Sequence, residues 1–160
     1  MKIIMAVHTS RKKVGIAMYV FLLLIWIVII LIATCTNDVS ALIERGEIQF
    51  SIDTTPDFSG FFQLSLQQST SVFELGGHAC IFFVLTMLFL YVTKEIVAAI
   101  MCSIVFAIIT EMIQPFFGRG AELLDLLAYF FGIGLYMVLY GVVSLCLLMV
   151  QGFYRLLTVK

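Results

Sequence analysis

The sequence predicts an all-α integral membrane protein: a bundle of four transmembrane helices with a long outer loop between the first two. Three observations predict this class. Of the 160 residues, 62% are hydrophobic and only 12% are charged, and the mean hydropathy is +1.15. Soluble domains are about 45–50% apolar and about 25% charged. The chain is too short for two sizeable domains, so residues 1–160 are expected to form a single membrane domain.

Four apolar runs are long enough to cross the bilayer, which takes about 20 helical residues. They cover residues 14–34, 73–92, 96–113 and 124–150. Pro115 marks the end of the third run, because the residue before a proline avoids the α region. Irregular backbone cannot face lipid, so each run should be a helix. Residues 35–72 then form the long loop between helices one and two.

The first run has features of both a signal peptide and a membrane anchor. Basic residues 11–13 precede an apolar stretch of about 20 residues, which is longer than the roughly 7–15 residues of a signal-peptide core. Residues 32–35 resemble a lipoprotein cleavage box only faintly, with Thr34 in a poor position before Cys35. We therefore expect an uncleaved anchor that becomes helix one.

The distribution of Lys and Arg predicts the orientation, since basic residues near the spans stay on the cytoplasmic side. One side carries seven: Lys2, Arg11, Lys12, Lys13, Lys94, Arg155 and Lys160. The other carries two, Arg45 and Arg119. Both termini should therefore be cytoplasmic, and loops 35–72 and 114–123 should lie outside. The net charge of -1 provides no basic surface for nucleic acid.

The long loop contains apolar side chains that water should not surround. Residues 40–46 read as a short helical turn that ends at Gly46. Asp57 is placed to cap a second short helix. Its apolar face would carry Phe58, Phe61, Phe62 and Leu66. This helix lies either on the outer head groups or against the bundle, and in both cases the rings should be buried.

Ionisable and amide side chains of three helices fall at one depth on this topology. His78 lies near the start of helix two, Glu111 and Gln114 at the outer end of helix three, and Asp125 in the first turn of helix four. Arg119 lies in the connecting loop. A charge at mid-membrane costs about 2.5–3.5 kcal/mol on insertion scales, so such groups normally face protein or a water-filled cavity.

Small residues favour close packing of helices three and four. On helix three, Ala99, Ser103 and Ala107 lead at four-residue spacing to Glu111. On helix four, Asp125 is followed on the same face by Ala128 and Gly132, and Gly134 and Gly141 would mark a second contact. We expect Glu111 and Asp125 to lie close together, with Arg119 as their cation and His78 as a second partner or proton carrier.

Two interpretations of these residues stay open. In the first they form a functional pocket, in which Glu111, Asp125 and His78 exchange protons while Arg119 and Gln114 bind the substrate. In the second they form a structural network, with acids at the positive end of a helix and a packed histidine. Neither interpretation includes a cofactor or a metal, because one histidine with carboxylates is a poor zinc ligand set.

The four cysteines, at positions 35, 80, 102 and 146, contain no CxxC motif. Cys102 and Cys146 should lie inside the membrane as thiols. Cys35 and Cys80 both lie toward the outer end, which leaves a disulfide between them open.

The pattern Glu111-x-x-Gln114, Gly118-Arg119 and Asp125, with Gly132 after it and His78 before it, resembles the VanZ-like membrane protein family. The resemblance covers residues 73–135, and the four-span layout agrees with it. One departure is Ala128, which stands where the family usually has an Asn three residues after the Asp.

The resemblance implies a multi-pass protein of the bacterial cell membrane with a role at the cell envelope. Founding members are linked to low-level resistance to the glycopeptide teicoplanin. The expected partners are membrane lipids and a lipid-linked or glycopeptide envelope ligand. One hypothesis is a protein that binds or shields an envelope component; the other is a membrane-embedded acid/base enzyme acting on a lipid-linked precursor. A transporter is disfavoured, because four spans without a broken helix pair offer little for alternating access.

Reporter fusions test the orientation. Fusions after Lys94 and Lys160 should give a cytoplasmic signal and a fusion at Thr55 an external one, because of the seven-to-two distribution of basic residues. An external signal at Lys94 would contradict the four-span topology.

Overall fold

The computed structural model of the chain describes residues 2–37, 39–59, 61 and 72–158. These residues form five α-helices and one 3₁₀ turn, with no β-strand among them. The elements are α1 (Lys2–Cys35), α2 (Val39–Arg45), α3 (Val72–Thr93), α4 (Ile96–Ile113), the 3₁₀ turn (Gln114–Phe117) and α5 (Leu123–Thr158). The predicted all-α class is confirmed.

Four of these helices, α1, α3, α4 and α5, are long and apolar enough to span a membrane. The α-helical part of the third span ends at Ile113, just before the Gln114-Pro115 pair, as Pro115 predicts. Helices α1 and α5 extend beyond the predicted spans of 14–34 and 124–150, because no proline interrupts residues 2–13 or 151–158.

The central helix of the bundle is α3, which packs against α1, α4 and most extensively α5. Its Phe82 and Leu85 are completely buried and contact Ile30 of α1, Ala107 of α4 and Tyr129 of α5 in one apolar core. On the described parts of all four long helices many large apolar side chains are exposed, as the lipid-facing surface of a membrane bundle requires.

Polar side chains inside the bundle bond to neighbouring helices. The Trp26 indole N–H of α1 donates to the carbonyl of Ile81 in α3 at 3.1 Å. The Thr86 hydroxyl of α3 lies 3.0 Å from that of Ser103 in α4, and both residues are fully buried. These contacts satisfy polar groups that lipid could not satisfy, and they fix the positions of α1 and α4 against α3.

The small-residue face of α5 packs against α3 rather than against α4. A Cβ at Gly132 would collide with the carbonyl oxygen of Ala79, so the two backbones are in direct contact there. The expectation of a second close contact at Gly134 and Gly141 is wrong, because nothing lies within 4 Å of a Cβ at either position. The absence of a side chain at Gly132 lets the start of α5 lie against the start of α3.

One end of the bundle, which we call the loop end, is where α1 and α4 end and α3 and α5 begin. Residues 47–53 close over it. Gln49 accepts the backbone N–H of Asn37 at 2.9 Å, and Asp53 donates its N–H to the carbonyl of Phe116 at 2.8 Å. Ser51 bridges the Asn37 side chain and the Phe117 carbonyl. The segment thus ties the end of α1 to the 3₁₀ turn.

Of the two short helices predicted in the long loop, the first is confirmed. Helix α2 ends at Arg45, and Gly46 follows with φ +68, where glycine is favoured. Where the second short helix was expected, residues 57–59 and 61 form a turn. Asp57 accepts hydrogen bonds from the backbone N–H and the hydroxyl of Ser59. These bonds hold the pKa of Asp57 below its ordinary value.

The predicted aromatic face of this second helix is seen in part. Phe58 packs its ring edge-on against Phe116 but is still 38% exposed, and Phe61 is half-buried. Phe62 and Leu66 lie outside the described residues.

The contact of α3 with α5 at Gly132 can be tested by adding one methyl group. Gly132→Ala should destabilise the protein by about 1–3 kcal/mol, since overpacking a filled contact costs that much. The matched control is Gly134→Ala, two residues away in the same helix, where the space is open. Thermal unfolding in detergent measures both, and equal melting temperatures would contradict the close approach.

Candidate functional site

The small-residue stripe of α4 leads to the site as predicted. Ala99, Ser103 and Ala107 are completely buried on the inner face, and Glu111 follows on the same face with 1% of its surface exposed. Small side chains let α3 and α5 approach this face, so the larger Glu111 is enclosed at the loop end. Helix periodicity alone therefore brings a carboxylate into the protein interior.

Glu111 joins the end of α4 to the start of α5. Its Oε1 accepts the backbone N–H of Glu122, the residue just before α5. Free N–H groups and the positive end of the helix dipole both occur at a helix N-terminus, which makes it a favourable place for a carboxylate. The carboxylate therefore has a local partner that sequence spacing did not reveal.

Asp125 and His78 form the second contact of the site. The His78 Nε2 lies 3.4 Å from Asp125 Oδ2, and the two side chains are 9% and 2% exposed. His78 comes from the second turn of α3 and Asp125 from the first turn of α5, so the packing at Gly132 brings them together. The prediction that His78 is a partner of the acidic residues is confirmed for Asp125.

Tyr129 is a member of the site that sequence reasoning missed. It is completely buried, its hydroxyl accepts the Gln114 side-chain N–H at 3.0 Å, and its ring meets the His78 ring edge-on at 5.1 Å. The available signal was its position four residues after Asp125, one helical turn along the same face. Tyr129 lies within the apolar run 124–150, where hydropathy does not distinguish a hydroxyl that bonds inside the bundle from an ordinary apolar ring.

These five residues, His78, Glu111, Gln114, Asp125 and Tyr129, are called the buried polar cluster below. Three of its oxygens are buried without a hydrogen-bond partner: Glu111 Oε2, Gln114 Oε1 and Asp125 Oδ1. Buried polar atoms of native proteins are almost always paired, so three unpaired acceptors in one cluster mark a place that calls for further donors. The cluster is rich in acceptors and poor in donors.

Arg119 does not supply those donors, and its expected ion pair with Glu111 or Asp125 is wrong. Among the described residues, ion pairs join Arg45 to Glu47 and His78 to Asp125, and none includes Arg119. The Arg119 Nη1 instead donates to the Ala33 carbonyl of α1 at 3.5 Å. The turn at Gly118, with φ +72 and a backbone pressed against Ser51, leads the following Arg119 toward α1.

A cavity of about 220 Å³ lies at the loop end between α1, α2 and α3. Its exposed lining is almost entirely apolar, and Arg119, Glu74 and His78 border it mainly through their carbon atoms. His78 belongs both to this wall and to the buried polar cluster, where it contacts Asp125. It therefore connects the cavity with the carboxylates behind it, and an imidazole in that place can pass a proton between them.

The described residues contain no group of three or more His, Cys, Asp or Glu that could hold a metal ion. The four cysteines are all free thiols, so the disulfide left open between Cys35 and Cys80 is not formed. The functional groups described at this end of the bundle are therefore one guanidinium, one imidazole, carboxylates, an amide and a phenol.

Fold and site together define a polytopic α-helical membrane protein with a buried acidic cluster at one end of its bundle. The chain is similar to the uncharacterized membrane protein YwnJ of Bacillus subtilis (strain 168), with 35% identity over 118 residues, which are 72% of this chain and 84% of YwnJ. It belongs to the same family as YwnJ. No known family profile matches the sequence, and no solved structure matches it.

Removing the Tyr129 hydroxyl tests the cluster. Tyr129→Phe leaves the buried Gln114 N–H without its acceptor, which should cost about 1–3 kcal/mol of folding free energy. Tyr140→Phe is the matched control, because Tyr140 lies on the same helix and is 41% exposed. The comparison is made by thermal unfolding in detergent, and a Tyr129 variant as stable as the control would show that the hydroxyl is not needed.

Proposed function

We propose that the protein is a VanZ-like protein of the bacterial cell envelope that binds or shields an envelope component at its loop end. The residue pattern of that family supports the proposal, since His78, Glu111, Gln114 and Asp125 fall in one buried cluster. Arg119, the remaining polar residue of the pattern, borders the adjoining cavity.

The observation that carries the proposal is that most N–H donors of Arg119 have no partner among the described residues. An arginine has five N–H donors, and here a single bond of 3.5 Å to Ala33 uses one of them. The guanidinium is half-buried and forms no ion pair with a described carboxylate. A planar fork of N–H donors beside an apolar cavity is suited to a phosphate or a carboxylate of a ligand.

The loop end faces the outside of the cell in this proposal, with both termini in the cytoplasm. The seven-to-two distribution of basic residues supports that orientation. The cavity is then level with the outer leaflet, where envelope precursors and glycopeptide antibiotics meet. Binding or shielding an envelope component there reduces the target available to teicoplanin, which is the proposed link to resistance.

A second candidate, a membrane-embedded acid/base enzyme acting on a lipid-linked precursor, is favoured by one contact. Asp125 lies beside His78 on the side away from the cavity, and a carboxylate in this position orients an imidazole for proton transfer. No Ser or Cys lines the described cavity, so a nucleophile would have to be water or part of the substrate. The binding role therefore stays first.

Arg119→Gln tests the binding role in cells. Expression of the wild-type chain in a teicoplanin-susceptible Bacillus strain should raise the inhibitory concentration of teicoplanin, and Arg119→Gln should remove most of that increase. The matched control is Arg45→Gln, since Arg45 is an exposed loop-end arginine already paired with Glu47. Full protection by the Arg119 variant would contradict the proposal.

Glu111→Gln separates function from structure. The variant keeps an oxygen for the Glu122 N–H but loses the charge, so the protein should still accumulate in the membrane while teicoplanin protection is lost. Glu47→Gln is the exposed control. Immunoblots of membrane fractions measure the amount of protein, and a Glu111 variant that fails to accumulate would favour the structural network instead.

A further inference from the structure

The buried polar cluster contains more acceptors than the surrounding protein satisfies. Three of its oxygens have no hydrogen-bond partner, and each belongs to a residue that is at most 2% exposed: Glu111 Oε2, Gln114 Oε1 and Asp125 Oδ1. A buried acceptor without a partner has lost its hydration and gained nothing in exchange. The cluster therefore favours a ligand that carries positive charge.

Gln114 shows that the deficit is not confined to the two acids. Its Nε2 donates to the Tyr129 hydroxyl at 3.0 Å, which fixes the amide inside the cluster, and its Oε1 is the unpartnered atom. The residue is completely buried. Neutral amide oxygens are ligands of hard cations in proteins. One added proton can join two of the three unpartnered oxygens by a hydrogen bond, but it leaves the third without a partner.

The groups that carry these oxygens lie close to one another. Glu111 and Gln114 are three residues apart along the end of α4, about one helical turn, and Gln114 contacts Tyr129. Both carboxylates act electrostatically on the Tyr129 hydroxyl, and Asp125 acts on Glu111. The hydroxyl accepts one hydrogen bond from Gln114 and has a second lone pair. Four oxygen-bearing side chains therefore surround one place between α4 and α5.

The charge of the cluster also calls for a cation. Among the described residues, the ion pair that includes one of its carboxylates is that of Asp125 with His78, and Arg119 bonds to Ala33 instead. If His78 is protonated, one negative charge is still left over inside an apolar bundle. An uncompensated charge in such a place is costly. One monovalent cation balances it.

Oxygen ligands and enclosure together select the ion. Zinc and other softer metals prefer nitrogen and sulfur, whereas hard cations take oxygen. Calcium takes about six to eight oxygens and magnesium keeps several of its waters. Glu111 and Asp125 are only 1% and 2% exposed, so little room is left for water. The described residues also contain no group of three or more His, Cys, Asp or Glu, as a divalent metal would usually need. A sodium ion has the single charge and the small size that remain.

We propose that the buried polar cluster binds one sodium ion, coordinated by the unpartnered oxygens of Glu111, Gln114 and Asp125 and by the Tyr129 hydroxyl. The ion joins the end of α4 to the first two turns of α5, so its binding stabilises the folded bundle. This site is separate from Arg119, and it goes beyond the proposed function without depending on it.

Thermal unfolding of the full chain in detergent tests the proposal. The salts are the chlorides of sodium, potassium and N-methylglucammonium at equal ionic strength, so screening is the same in all three. The pH is held well above the ordinary range of carboxylates. Sodium at about a hundredfold excess over its dissociation constant should raise the melting temperature by about 5–10 °C relative to N-methylglucammonium. Potassium should give a much smaller rise, because the cluster is enclosed. Calorimetric titration with sodium chloride should give one ion per chain.

Three variants assign the rise to the cluster: Glu111→Gln, Asp125→Asn and Gln114→Leu. Each should remove most of the sodium-dependent rise, because each removes a charge or a ligand oxygen. The readout is the difference between the sodium and N-methylglucammonium salts within one variant, so a general loss of stability cancels. The matched controls are Glu47→Gln and Gln151→Leu, which change exposed residues and should keep the full rise.

The wild-type comparison needs no variant and can overturn the proposal by itself. Equal melting temperatures in the three salts would do so, as would an equal rise in sodium and potassium. A sodium-specific rise that persists in full in any of the three cluster variants would overturn the coordination. Stabilisation by acid without a response to sodium would show that a proton occupies the cluster instead. None of these outcomes involves Arg119, so the proposed function is tested separately.

Discussion

The structure depends on one constraint: two carboxylates, Glu111 and Asp125, must be held inside an apolar bundle with almost no exposure. An isolated charge in such a place is costly, so the surrounding elements must supply partners. The start of α5 supplies a backbone N–H to Glu111, and His78 of α3 lies beside Asp125. Both contacts require α5 to begin beside the end of α4 and the start of α3. The direct backbone contact at Gly132 permits that arrangement.

The same constraint explains why Arg119 is available for a ligand. Each carboxylate has one partner, the Glu122 backbone N–H for Glu111 and His78 for Asp125, and the 3₁₀ turn leads Arg119 to the Ala33 carbonyl instead. Arg119 therefore borders the loop-end cavity and stays outside the buried polar cluster. His78 lies both on the cavity wall and beside Asp125 in the buried polar cluster. The absence of a direct ion pair is thus the feature from which the proposed function follows.

The sequence predicted the helices and the burial of Glu111 well, because hydrophobic length and helical periodicity are local properties. The range 96–113 and the buried face ending in Glu111 both follow from such patterns. It did not predict the direction of Arg119 or the role of the Tyr129 hydroxyl. The first depends on a turn at Gly118 held by Ser51, about 70 residues away in sequence. The second depends on a partner, Gln114, in another element.

The central claim is that Arg119 faces the cavity with donors free for a phosphate. An experimental structure of the protein crystallised from a phospholipid phase tests it most directly. A phosphate oxygen should lie about 2.7–3.2 Å from a guanidinium nitrogen of Arg119, with His78 still beside Asp125. A guanidinium turned inward to pair with Glu111 or Asp125, with protein side chains filling the cavity, would contradict it.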